Sequence, residues 1–250
     1  MRYVIYGAGA IGGTIGARLF MAGHEVRLIA RGAHLDTLQS HGLTYRSPEG
    51  TQVLDIPAAG HPAEVDWRED DVVFLTMKSQ HTDAALTELE RVAPPDTPVV
   101  CCQNGVANES MAARRFRRVY AMVVLLPASH LQPGEILHHA TGLSAFLDAG
   151  CFPHGTDAVI ETVCADLTGA GFSAVADPRP LRWKYAKLLQ NLGNSLQAVC
   201  DAGREAREIM RLARNEALAC YEAAGIDCAS RDETAERQQG MVMGEIEGTE

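Results

Sequence analysis

The residues of this chain best suited to chemistry lie in "YAKLLQNLGNS", positions 185–195. On a helix, Lys187, Asn191 and Asn194 stand at i, i+4 and i+7, which is one face. The positions between are mostly apolar: Leu188, Leu189 and Leu192. A solvated face would more naturally carry Glu–Lys pairs. An ammonium beside an oxygen that gains negative charge stabilises that charge and can donate a proton to it. A carboxamide one turn away hydrogen-bonds hydroxyl and carbonyl groups without adding charge. Lys184 competes for the role of the ammonium, and the asparagine four residues after Lys187 favours Lys187. The plainer alternative is a snorkelling surface lysine with asparagines that serve helix packing.

A second group of residues points to a nucleotide. Gly7-Ala8-Gly9-Ala10-Ile11-Gly12 fits G-x-G-x-x-G, follows a β-rich run and opens a helical pattern. In that context Gly7 permits the tight turn, Gly9 lets the backbone approach a pyrophosphate, and Gly12 lets helix pack on strand. The helix N-terminus offers N–H groups and a positive dipole end to the anion. An NAD enzyme usually carries an acid at the end of the second strand. This chain has Arg31 there, whose fork of donors suits a 2′-phosphate, so NADP is expected over NAD, with a surface arginine as the alternative. Lys78 and Asn104 end two further strands, at the edge where ligands bind an open parallel sheet. Lys78 is expected near cofactor phosphate or ribose, and Asn104 near nicotinamide or substrate. Asn104-Gly105 is equally an ordinary turn pair.

The elements that must position these residues follow from pattern. Tyr3–Tyr6, the helix ending at Gly23 and Val26–Ile29 make a βαβ unit. "DVVFLTMK" (71–78), "PVVCCQNG" (98–105) and "RVYAMVVLL" (118–126) read as strands covered on both faces. Helices are expected at 82–92, near 107–116 and at 156–170. Turn signals between 133 and 149 predict a β-hairpin, and "GFSAVAD" (171–177) a short strand. "DPRP" at 177–180 is a break, after which the pattern is helical. The expected fold is α/β: a Rossmann-type doubly wound sheet over 1–177, then a smaller all-helical domain over 178–250.

Composition narrows the function classes. The 250 residues carry a net charge of −10, which gives no reason to expect nucleic acid or an anionic membrane as partner. No apolar run approaches the roughly 20 residues of a membrane span. The N-terminus begins directly with a strand and no signal peptide, so a cytoplasmic protein is expected. The seven cysteines form no C-x-x-C and no zinc spacing, which predicts reduced structural thiols and no metal. His138-His139 lies in the expected hairpin and reads as structural.

Taken in order, "GAGAIGG", Arg31, "TMKSQ", "CQNG" and "WKYAKLLQN" after a domain break resemble the ketopantoate reductase (2-dehydropantoate 2-reductase) family. The resemblance runs from residue 1 to about 250. It implies a Rossmann domain and a helical domain with the active site in the cleft. The implied reaction is NADPH-dependent reduction of the 2-keto group of ketopantoate to pantoate, for pantothenate and coenzyme A synthesis. Lys187 matches the family's catalytic lysine and Asn191 an asparagine one turn later. Either Asn194 or Ser195 matches the next substrate contact. The family continues past this chain's end and carries a serine and a glutamate there. The helical domain is therefore expected to be incomplete, and Glu245, Glu247 and Glu250 are assigned no such role. A homodimer or a partner element is expected to cover the apolar face left open. Two alternatives stay open: a reductase of another branched 2-keto acid, and a non-catalytic NADP-binding sensor or scaffold.

Overall fold

A computed structural model describes residues 1–201 and 203–246; Glu247 and Glu250 lie outside the described residues. The chain starts with β1 (Arg2–Tyr6), α1 (Ala10–Met21), β2 (Glu25–Ile29) and α2 (Gly32–His41). A hairpin of β3 (Leu43–Ser47) and β4 (Gly50–Leu54) follows, then the short β5 (Ala58–Ala59). Next come β6 (Asp71–Leu75), α3 (Thr82–Leu89), β7 (Val99–Cys101), α4 (Asn108–Ala112) and β8 (Val119–Met122). Four short strands, β9 (Ala128–Ser129), β10 (Glu135–His138), β11 (Ala140–Gly142) and β12 (Ala149–Cys151), lead to α5 (Ala158–Gly169). The remainder is α6 (Pro180–Asn191), α7 (Asn194–Gln197), α8 (Arg204–Ala223), α9 (Arg231–Arg237) and β13 (Met241–Met243).

The main sheet has the order β12-β8-β7-β6-β1-β2-β5 and is parallel except for β12. The chain runs outward from β1 through β2 to β5, then restarts at β6 and runs the other way. The switch point between β1 and β6 is where an open α/β sheet forms its ligand crevice. Strand residues alternate between two cores. Tyr3, Ile5, Phe74 and Val100 join one apolar cluster with α1 and α5, and Val4, Val73, Leu75 and Val99 join another with α3. Burial on both faces explains the nearly continuous apolar runs. It also pushes the Cys102 and Cys164 thiols up to about 12, which suits packing and not reactivity.

Several local expectations need correction. Residues 133–149 form no hairpin of their own: β10 pairs in parallel with β3 and antiparallel with β9, and β11 pairs with β13. The turn residues mark where the chain reverses, but the partners are chosen by tertiary packing. Residues 171–177 make only isolated bridges, Phe146 to Ser173 and Ala149 to Ala176. The helical part ends in a strand, β13, which returns to the nucleotide half. The helix carrying Lys187 stops at Asn191, and Leu192 and Gly193, both with right-handed helical dihedrals, lead into the short α7 that carries Asn194 and Ser195. His138 is structural: its Nδ1 accepts from Tyr45 Oη at 2.6 Å and its Nε2 donates to Ser144 O at 3.1 Å. On α8, Ile209 and Leu212 remain about half exposed. Among the described residues, no helix is long and apolar enough to cross a membrane.

Arg2 and Asp71 face each other across β1 and β6 and are both buried. Arg2 donates from Nε at 2.6 Å and from Nη2 at 2.8 Å to the Asp71 carboxylate, a bidentate pair at the amino edge of the sheet. Removing one partner strands a buried charge. Arg2→Met is therefore expected to cost about 3–5 kcal/mol in denaturant unfolding; a loss below about 1 kcal/mol would contradict the assignment.

Candidate active site

The glycine loop is built as its sequence requires. Gly7 has φ +104°, a conformation L side chains rarely adopt, and a Cβ there would lie 2.8 Å from Met77 N. A Cβ on Gly9 would meet nothing within 4 Å, so this backbone is open to an approaching group. A Cβ on Gly12 would come within 2.3 Å of Thr76 Oγ1 and 2.5 Å of Gly7 O, so α1 can pack here only without a side chain. The N-terminus of α1 has no side-chain cap and no acid in its first turn. Its positive dipole end, at Ala10 and Ile11, therefore has no neutralising carboxylate in that turn.

Two residues that the sequence pattern does not single out hold the loop. Thr76 Oγ1 donates to Gly7 O at 2.8 Å. His34 Nδ1 accepts from Gly134 N at 2.8 Å, which leaves Nε2–H to donate to Ala8 O at 2.7 Å. Burial lowers the His34 pKa, in keeping with a neutral ring in both roles. Arg31 is exposed beyond β2, at the extended residue before α2. Lys78 follows β6 and Asn104 follows β7, both exposed. Their loops are tied together, since Ser79 Oγ donates to Asn104 O at 3.2 Å. Gly105 takes φ +84°, so Asn104-Gly105 is also a true turn. Gly7–Gly12, Arg31, Lys78 and Asn104 thus share the carboxyl edge of the sheet.

Helix α6 starts at Pro180, a residue suited to the first helical position, and packs against β8 and β12. Two of its lysines reach the same sheet edge. Lys184, 3 % exposed, donates to Glu109 Oε1 and, at 2.9 Å, to Gln103 O beyond β7. Lys187 donates to Val124 O beyond β8. Burial of the ammonium, aided by the charge of Lys184, brings the Lys187 pKa down to about 8. Asn191 is half-buried at the helix end, and Asn194 and Ser195 are exposed beyond the turn. The structure therefore brings Lys187, and through Lys184 the segment before Asn104, to one edge, while Asn194 and Ser195 lie on the next helical turn, exposed. Glu109 carries no local signal in the sequence, because its partner lies 75 residues away.

The family model for ketopantoate reductase PanE/ApbA matches residues 3–152. The chain belongs to the ketopantoate reductase family. It is 30 % identical over 191 residues to a 2-dehydropantoate 2-reductase of Pyrococcus horikoshii, covering 76 % of this chain and 61 % of that relative's length. A solved PanE/ApbA family ketopantoate reductase from Ralstonia eutropha JMP134 superposes with TM-score 0.80 at 25 % identity, over 96 % of this chain and 80 % of that one. D-mandelate dehydrogenase, solved with NADH and anilino(oxo)acetate, superposes with TM-score 0.83 at 20 % identity, over 95 % of this chain and 79 % of that one, a likeness of fold.

In this ketopantoate reductase family member, Gly12→Ala is expected to cost about 1–3 kcal/mol by overpacking. Adding Thr76→Ala should restore only part of this, because Gly7 O still lies 2.5 Å from the new Cβ. Unchanged denaturant stability of Gly12→Ala would show that α1 is not held this close.

Proposed function

We propose that the chain reduces the 2-keto group of a small branched 2-keto acid, ketopantoate first, with NADPH as reductant. The observation that carries this is Lys187, a half-buried ammonium at the carboxyl edge of a dinucleotide-type sheet in a ketopantoate reductase family chain. The open backbone at Gly9 and the uncapped start of α1 fit a pyrophosphate, and Arg31 fits the 2′-phosphate. A reduced nicotinamide, when bound, supplies the hydride for the keto carbon. Charge then develops on the keto oxygen, where Lys187 stabilises it and donates a proton. Asn191 and Asn104 orient the substrate, with Asn194 or Ser195 as a further contact; Lys78 serves the cofactor. The division at 177/178, a cytoplasmic setting and a homodimer over the apolar face of α8 belong to the same proposal.

Lys187→Ala is expected to lower turnover by at least about 100-fold, as for loss of a general acid, and to leave NADPH affinity nearly intact. Lost cofactor affinity with a preserved rate would overturn the assignment. The ammonium is the active form, so turnover should fall as pH rises through about 8, where Lys187 loses its proton. Equal rates at pH 7 and 10 would exclude it as the donor. Arg31→Asp should move cofactor preference from NADPH toward NADH, read as the ratio of the two kcat/KM values. An unchanged ratio removes the reason for naming NADPH.

A further inference from the structure

Beneath the loop that carries Asn104 lies a polar network sealed from solvent. Glu109 is 0 % exposed and its pair with Lys184 is fully internal. The Lys184 ammonium also donates to Gln103 O and, at 3.4 Å, to Cys101 O, so one side chain ties α6 to the end of β7 and to α4. The network continues outward. Gln103 Nε2 donates to Thr82 Oγ1 at 3.1 Å, and Thr82 Oγ1 donates to Asn108 Oδ1 at 2.8 Å. Asn108 Nδ2 donates to Asn104 O at 3.2 Å and to Ser79 Oγ at 3.3 Å. It therefore runs from the helix bearing Lys187 to the loops bearing Asn104 and Lys78.

Stability alone does not account for this arrangement. A buried ion pair is often replaced by apolar residues of similar volume with no loss of stability. Here the pair also leaves Gln103 Oε1 and Glu109 Oε2 buried without a hydrogen-bond partner among the described residues, a further cost. What the pair offers over an apolar contact is a single geometry, because the ammonium must meet a carboxylate and two carbonyls at once.

We propose that the Glu109–Lys184 pair is a positioning element of the active centre: it fixes the register of α6 on the sheet edge, so that Lys187 and the Asn104 loop are held together. This rests on the reading of Lys187 as proton donor. Lys184 also acts on Lys187 by charge, one turn away along the helix. Among the described residues lining the cavity beside Lys187, the other charged groups are Arg237 of α9 and Asp148 before β12, and these pair with each other at 2.6 Å.

The test is Lys184→Met/Glu109→Leu, which replaces the pair by apolar side chains. The double variant is expected to melt at or above the parent's temperature and to bind NADPH as the parent does. Its kcat on the 2-keto acid should fall by at least about tenfold, since small misplacements of reacting groups are costly. The pH midpoint for amine labelling of Lys187, followed by peptide mass spectrometry, should move upward as the neighbouring charge is removed. A folded double variant with parental kcat overturns the proposal, whatever its Lys187 midpoint. Should it fail to fold, Glu109→Asp keeps both charges and retracts the carboxylate by one methylene. It should lower kcat with NADPH affinity kept, and parental kcat would again overturn the proposal. Absence of turnover by the parent on any 2-keto acid would defeat the functional reading, whereas a parental Lys187 midpoint in the folded double variant, read without turnover, would overturn the coupling of the pair to Lys187.

Discussion

The close approach of α1 to the ends of β1 and β6 is the contact on which the rest of the site depends. It exists because Gly12 has no side chain, so Thr76 and the Gly7 carbonyl occupy the space a Cβ would need. That contact sets where the N-terminus of α1 points. It also places the loop after β6 beside the glycine loop, at the one gap in the sheet where neighbouring connections diverge. Lys78 and, through Ser79, Asn104 take their positions from the same gap. Thr76 and His34 close the loop from two sides, with neutral hydrogen bonds that leave the positive helix end uncompensated.

The second constraint is electrical. A lysine that serves as proton donor near neutral pH needs a pKa below its ordinary value, and burial of Lys187, aided by the charge of Lys184, supplies that. Lys184 and Lys187 share a helix and differ in what they meet. Lys184 meets a carboxylate and is fully enclosed; Lys187 meets a backbone carbonyl and is only partly buried. In the proposed account the first holds the helix and the second serves the chemistry. Arg237 on α9 adds a second fastening to the nucleotide half. It pairs with Asp148 and lies over the Phe146 ring at 4.7 Å, and β13 follows it back onto β11.

Much of this was legible in the sequence because it rests on local rules. The glycine spacing, the two-faced apolar strands and the break at Asp177–Pro180 each report a backbone or burial requirement at their own position. The parts that escaped depend on distant partners. The pairing of β10 with β3, the return of β13 and the Lys184–Glu109 contact join segments far apart in the chain, and no local period encodes them. The sequence pattern also runs one helix from Lys187 through Asn194, whereas α6 ends at Asn191 and a short turn at Leu192–Gly193 precedes α7.

The most direct test of the account is to follow deuterium from the labelled nicotinamide of NADPH into a 2-keto acid. Ketopantoate would be incubated with this chain and the C2 position of the product read by NMR. Stoichiometric label at C2, lost in Lys187→Ala, is the predicted result. Pantoate formed without label at C2, or label transfer undiminished in Lys187→Ala, would contradict it.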